Sequence, residues 1–145
     1  MRTEFVDLLL PQENWKNASI NLTEWVDYTW VEEITFMIDV QQTTGSPSAG
    51  TLTAKFQKRM PYVSGPYQWI NQRLSDYTAA EKAAYIVEGD WPATLADYTL
   101  AAPITHSRTV RNFGMGVNLV LTGAALAGGT SPGFQVVVTA IVKGR

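Results

Sequence analysis

The chain has 145 residues, enough for one ordinary domain with a sizeable core, and a formal net charge of −2. With no basic cluster, nothing in this charge points to a surface that binds nucleic acid or an anionic membrane. Cysteine is absent, which excludes disulfides, thiolate metal sites and a cysteine nucleophile. Charged residues make up only 17% of the chain, which suits a domain that covers much of its surface with partners.

The first residues do not have the pattern of a signal peptide. Glu4 and Asp7 interrupt them, and the apolar run Leu8–Leu10 is far too short. No run approaches the roughly 18 apolar residues of a membrane span. We therefore expect a protein that is made and assembled in the cytoplasm.

Residues 1–16 are predicted to form an N-terminal arm, and residues 17–145 a single domain. Pro11 stops any helix begun before it, and Trp15 is placed to anchor the arm on the domain. Phe5, Leu9 and Trp15 are candidate partner contacts on this arm. The alternative is a frayed terminus without a function.

Alternation of apolar and polar residues predicts strands through most of the domain. The clearest are Val31–Gln41, with Ile34, Phe36, Ile38 and Val40 inward, and Thr51–Lys58. Weaker candidates are Ser19–Val26, Tyr67–Asn71, Tyr85–Val87, part of Ala93–Ile104, and Ser107–Phe113. About eight or nine short strands with turn residues between them predict an all-β antiparallel sandwich or barrel.

Helix is expected at one place at most. Thr78-Ala79-Ala80-Glu81 matches a capping box, and the Ala-rich residues that follow favour a helical turn.

The closing segment has the pattern of an antiparallel hairpin. Two apolar runs, Val117–Thr122 and Phe134–Lys143, flank the turn-rich segment GGTSPG (Gly128–Gly133). In the second run the even positions are wholly apolar and the odd positions include Val137 and Ile141. We expect the odd face to be covered by the arm or, more readily, by another subunit.

No constellation in the sequence points to catalysis. His106 is the only histidine, in a segment interpreted as the loop Pro103–Ser107, without a catalytic motif or carboxylates at metal-ligand spacing. Glu32 and Glu33 are adjacent, so they point to opposite faces of a strand and cannot act as a glycosidase pair. GGTSPG lacks the lysine and helix of a phosphate loop. We predict no enzyme activity, no cofactor and no metal.

Aromatic residues are dense, with five Trp and six Tyr, and most fall in loops or at strand ends. Such residues serve a protein interface, a sugar-binding platform or packing at the edge of the core. The sequence leaves the three roles open. The candidate interface residues among them are Trp15, Trp25, Trp30, Tyr62, Trp69 and Trp91.

Two stretches resemble small head proteins of tailed bacteriophages. One is TLTAKFQK (Thr51–Lys58) followed by Tyr67-Gln68-Trp69-Ile70. The other is the ending SRTVRNFGMGVNLVLTGAALAGGTSPGFQVVVTAIVKG, in which the GGTSP turn and its flanks are the most specific part. The resemblance covers roughly residues 31–145, and the chain departs from the usual pattern in its arm and at Asp76–Leu100.

This resemblance implies a jelly-roll-like sandwich and a virion structural protein. The foremost expectation is a capsid decoration (cement) protein on the capsid surface. Its partners would be the major capsid protein and further copies of itself, as a dimer or trimer, without nucleic acid or membrane. A tail or neck protein is the alternative within the class, and a carbohydrate-binding module using Trp69 and Trp91 is the alternative outside it.

Overall fold

The computed structural model describes residues 2–9, 17–21, 30–59, 79–80, 86–90, 94–111 and 116–145. These residues form an all-β fold in which two antiparallel sheets pack face to face. The predicted fold class is therefore confirmed. The nine strands are β1 (Arg2–Leu9), β2 (Asn17–Asn21), β3 (Val31–Thr44), β4 (Ala49–Arg59), β5 (Ile86–Asp90), β6 (Ala96–Asp97), β7 (Ile104–Arg111), β8 (Gly116–Ala127) and β9 (Gly133–Gly144).

The strand pairing is that of a jelly roll. Strand β1 pairs with β9, β2 with β8, and β3 with β7, so these pairs follow one another like the two arms of one long hairpin. At the closed end of this hairpin, β4 pairs with β5 and β6. The hairpin is then wrapped, so that β9 also pairs with β3, and β8 with β4. A wrapped double hairpin of this kind gives two packed antiparallel sheets.

Among the described strands, one sheet has four strands and the other has five. Sheet I has the strand order β1-β9-β3-β7, and sheet II has the order β2-β8-β4-β5. The two-residue strand β6 pairs with Thr51 and Leu52 of β4, on the edge that β5 occupies further along. The weak strand expected within Ala93–Ile104 is thus reduced to β6, and β7 begins at Ile104.

The core lies between the sheets and follows the predicted alternation. In β9 the residues Phe134, Val136, Val138, Ala140 and Val142 are fully buried. The inward positions of the other central strands are also buried, and they are Ile34, Phe36, Ile38 and Val40 in β3, Leu52, Ala54 and Phe56 in β4, and Val117, Leu119 and Leu121 in β8. Regular period-two burial fixes the register, because a slip by one residue would expose these side chains.

The predicted closing hairpin is wrong. Strand β8 lies in sheet II and β9 in sheet I, so the GGTSPG segment is a corner between layers and not a hairpin turn. The corner packs on the β3–β4 loop, where Thr130 N donates to Gly45 O at 2.9 Å and Ser48 N donates to Ala127 O at 2.9 Å. Glycine and proline between two apolar runs indicate a turn, and they do not indicate which sheet the next strand joins.

Several predictions fall on residues beyond the described ranges. They include the predicted strand Tyr67–Asn71 and both ends of the expected helical turn. Of that turn the structure describes Ala79 and Ala80, and both are helical. The boundary between arm and domain after residue 16 stays a prediction.

Two phenylalanines allow a matched test of the fold. Phe36 is fully buried in β3, whereas Phe5 in β1 is 74% exposed. Phe36→Ala should lower the free energy of unfolding by about 3–5 kcal/mol, because it leaves a cavity in the core. Phe5→Ala should change it by less than about 0.5 kcal/mol. Urea denaturation measures both, and similar losses for the two variants would contradict the assignment of inner and outer positions.

The contact between the GGTSPG corner and the β3–β4 loop predicts opposite effects on stability for two substitutions. Gly129 has a φ of +61°, and a methyl group there would overlap the carbonyl oxygen of Gly45. Gly129→Ala should therefore cost at least about 1–2 kcal/mol in unfolding free energy. Ser131 also has a positive φ, +46°, so Ser131→Gly relieves strain and should be neutral or stabilising. Equal destabilisation of both variants would contradict this loop geometry.

Candidate interaction surface

The outer face of sheet I carries the main candidate surface. Because β9 buries its even positions, its odd positions from Gln135 to Lys143 point outward, and directly paired residues of neighbouring strands share that face. The register places Phe5, Ile141 and Thr35 in one row across β1, β9 and β3, and Asp7, Thr139 and Met37 in the next row. Strand β1 therefore widens the sheet at the edge of β9 and adds its own outward side chains to the face.

An apolar cluster occupies the middle of this face. We use this name for Phe5, Met37, Val137 and Ile141, which lie on three adjacent strands. Phe5 is 74% exposed and Met37 is 37% exposed, while the two aliphatic residues are half-buried. Clustered apolar side chains that remain in water are typical of a surface that binds a partner.

One end of the face is basic. Glu33 of β3 forms ion pairs with Arg111 of β7 at 2.8 Å and with Lys143 of β9 at 3.9 Å. Two cations thus lie around the Glu33 carboxylate, and Glu32 lies beside Glu33 and Lys143 and pairs with Arg145. We call Glu33, Arg111 and Lys143 the basic end.

The opposite end of the face is acidic. Asp39 of β3 accepts a hydrogen bond from the Thr105 hydroxyl at 3.3 Å, and Asp7 is exposed on β1. We call Asp7 and Asp39 the acidic end. Asp7 lies in the row of Met37, and Asp39 is paired with Val137, so both aspartates lie beside residues of the apolar cluster.

The outer face of sheet II differs in character. The outward positions of β4 are Thr51, Thr53, Lys55 and Gln57. Gln57 accepts a hydrogen bond from the side chain of Asn118 at 3.1 Å, and Asn118 is only 4% exposed. The outward positions of β4 up to Gln57 are therefore polar, while the neighbouring strand β8 adds the half-buried Val120 beside Lys55.

Trp30 lies where the two ends of the chain meet. Its half-buried ring packs against the core. The Arg2 guanidinium lies over this ring, 4.0 Å from the ring centre, in a cation–π contact. Its carbonyl oxygen accepts the Arg145 amide at 2.9 Å, and Arg145 also pairs with Glu32. These contacts join β1 and the end of β9 to the start of β3.

The structure brings together only part of the predicted interface. Phe5 lies in the apolar cluster, and the backbone of Leu9 pairs with Val138 next to an irregularity in β1. Both stay predicted interface residues, as does Trp30. The other predicted residues, Trp15, Trp25, Tyr62, Trp69 and Trp91, lie outside the described residues. Sequence reasoning missed Met37, although its outward position in the alternation of β3 was a usable signal.

The interpretation of His106 as a loop residue is wrong. His106 lies within β7, and its Nε2 is 2.7 Å from the carbonyl oxygen of Leu95. Two residues further on, the Arg108 guanidinium lies 5.5 Å from the centre of the Phe56 ring in sheet II. Both side chains therefore link the edge of sheet I to sheet II, which is a structural role.

Three observations bear on chemistry and on relatives. Within the described ranges, no three His, Asp or Glu side chains lie close enough together to hold a metal ion. The same residues include no helix with the length and apolar character needed to cross a membrane. No protein-family model matches the chain, and no curated protein is significantly similar to it.

Asp97 makes one turn beside β6 sensitive to pH. Its carboxylate accepts hydrogen bonds from the hydroxyl and the backbone amide of Thr99, which lower the pKa of Asp97 below its usual range. A lowered pKa in the folded state stabilises the protein above the unfolded pKa, and this contribution is lost as the pH falls through the folded value.

The substitution Asp97→Asn tests that turn. Wild type should be more stable than the variant near neutral pH, and the difference should shrink as the pH falls below the usual range of an aspartate. Thermal unfolding at a series of pH values measures it. A difference that is constant with pH would contradict the role of the Asp97 charge.

Proposed function

We propose that this protein is a non-enzymatic structural protein of a bacteriophage virion, a decoration protein that binds the major capsid protein on the outside of the head. The observation that carries the proposal is the apolar cluster, with Phe5 protruding from a folded, regular sheet. A protein of this kind works through binding energy, and its site is a surface.

The composition of the cluster supports binding. Exposed aromatic residues that enter a partner's pocket commonly dominate interface energy, with Met also enriched there. Phe5 lies at an edge strand, so a partner can enclose its ring from the side as well as from above. Repeated copies on a shell then add their contacts, so moderate single-site affinity is sufficient for stable attachment.

The jelly-roll fold is compatible with this function, and proteins with other functions share the fold. Jelly rolls occur in viral capsid proteins, and also in lectins and cupins. A shared fold does not establish a function, so the proposal rests on the surface and on the resemblance of the closing stretch to small phage head proteins.

Particle binding tests the proposal. Purified protein is added to heads that lack it, and the bound amount is measured by sedimentation with the particles. Phe5→Ser should weaken binding at least about tenfold, the effect of losing a strong interface residue. Tyr98→Ser is the matched control, because Tyr98 is also an exposed aromatic, 42% exposed, but lies beyond β6 of sheet II. It should bind as wild type does.

Two results would contradict the proposal. One is wild-type protein that is absent from native heads and does not bind to heads that lack it. The other is equal binding by Phe5→Ser and wild type. Binding confined to tails or necks would favour the alternative structural role.

A further inference from the structure

We propose that the partner of the outer face of sheet I is a basic surface of the shell, with cationic side chains that meet Asp7 and Asp39. This inference rests on the proposed function and names the chemistry of the contact. It is carried by a difference between the two ends of the face. The charges around the basic end are paired within the chain, and those of the acidic end are not.

The charges around the basic end already have partners. Glu33 lies between Arg111 at 2.8 Å and Lys143 at 3.9 Å. Arg111 has a further interaction besides this ion pair. Next to Glu33 in the chain, Glu32 pairs with Arg145 at 2.7 Å. A protein that covers this end therefore meets charges that are balanced by their neighbours in the same chain.

Neutral polar side chains of the same face also pair with one another. The hydroxyls of Thr35 and Thr109 share a hydrogen bond of 2.8 Å. Nearer the other end, Gln42 Nε2 donates to Gln135 Oε1 at 2.6 Å. These hydrogen bonds persist when a partner covers the face, so they require nothing from that partner.

The two carboxylates of the acidic end have no counter-charge. In the part of the chain that the structure describes, neither Asp7 nor Asp39 forms an ion pair. Asp39 accepts a hydrogen bond from the Thr105 hydroxyl at 3.3 Å, and this donor is neutral. Asp7 is exposed and Asp39 is half-buried, so both carboxylates depend on solvent water in the isolated chain.

The position of these carboxylates makes them part of any contact with the apolar cluster. Asp7 lies in the row of Met37, and Asp39 is paired with Val137. A partner that encloses the cluster therefore also displaces water from both carboxylates. Because an unpaired carboxylate is strongly disfavoured away from water, the contact is stable only when the partner supplies cations.

The strand register gives the spacing of those cations. Asp7 and Asp39 lie two strands apart in sheet I and two residues apart along the strands. This places them about 10 Å apart across the strands and about 7 Å apart along them, or about 12 Å in all. The face therefore requires two lysine or arginine side chains at about that spacing, next to apolar residues that contact the cluster. Complementary charge of this kind also sets the orientation of the partner.

Removal of the two charges at constant side-chain size tests the inference. The double variant Asp7→Asn, Asp39→Asn keeps an oxygen that can accept the Thr105 hydroxyl, and circular dichroism confirms its folding. Binding to heads that lack the protein is measured by sedimentation at a series of NaCl concentrations. At low salt the double variant should bind at least about fivefold more weakly than wild type. Wild-type binding should weaken as salt rises, and that of the double variant should change little, because salt screens charge pairs.

Two further variants make the result specific. Asp97→Asn is the matched control, because it removes the same charge beside β6, which pairs with sheet II, and it should bind as wild type does. Asp7→Lys covers a failure of the double variant to fold, since Asp7 is exposed. It should bind more weakly than Asp7→Asn, because a cation then faces a cation of the partner.

Three results would overturn the inference. One is a folded double variant that binds as wild type does at low salt. Another is wild-type binding that does not change with salt, which would indicate neutral hydrogen-bond donors in the partner. The third is an equal loss of binding for Asp97→Asn and the double variant, because the effect would then follow total charge and not position.

The two proposals fail in different ways. Loss of binding by Phe5→Ser, with unchanged binding by the double variant, would retain the proposed function and overturn the basic partner. Wild type that binds to heads at no salt concentration would overturn the proposed function and, with it, this inference.

Discussion

The structure depends on the alternation of side chains along β9, which lies between β1 and β3 in sheet I. Its even positions are fully buried against sheet II, so its odd positions must face away from the core. Val137 and Ile141 are thereby held in the middle of the outer face, and β1 places Phe5 beside them. The apolar cluster is thus a direct consequence of how the core is packed, and it cannot move inward without a shift of register.

The same alternation explains which parts of the fold were predictable. Inward positions in β3 and β9 follow from local periodicity, and they were predicted correctly. The partner of each strand depends on the wrapping of the long hairpin, which no local pattern records, so β8 and β9 were wrongly paired. Strand β7 was partly missed because its inward side carries His106 and Arg108, which contact Leu95 and Phe56 at the edge of the sandwich. Polar inward residues remove the apolar alternation that indicates a strand.

The candidate surface was predictable only in part, for a related reason. Phe5 was predicted as a partner contact on the arm, and Val137 and Ile141 as outward residues covered by the arm or another subunit. Phe5 is far from the other two in sequence, and only the pairing of β1 with β9 places them together. Met37 joins them through the pairing of β3 with β9. The division of charge into a basic and an acidic end also arises from strand pairing, because Glu33, Arg111 and Lys143 come from three different strands. A surface of this kind suits association and orientation of proteins, which is what a shell-binding protein requires.

We propose that the outer face of sheet I is covered by another polypeptide in an assembled virion. Electron cryo-microscopy of the parent particle, at a resolution that shows side chains, tests it most directly. We expect jelly-roll density on the head in which Phe5 and Met37 are enclosed by another polypeptide, although both are exposed in the isolated chain. Density on the head with this face turned to solvent, or no density for the protein anywhere in the particle, would contradict the account.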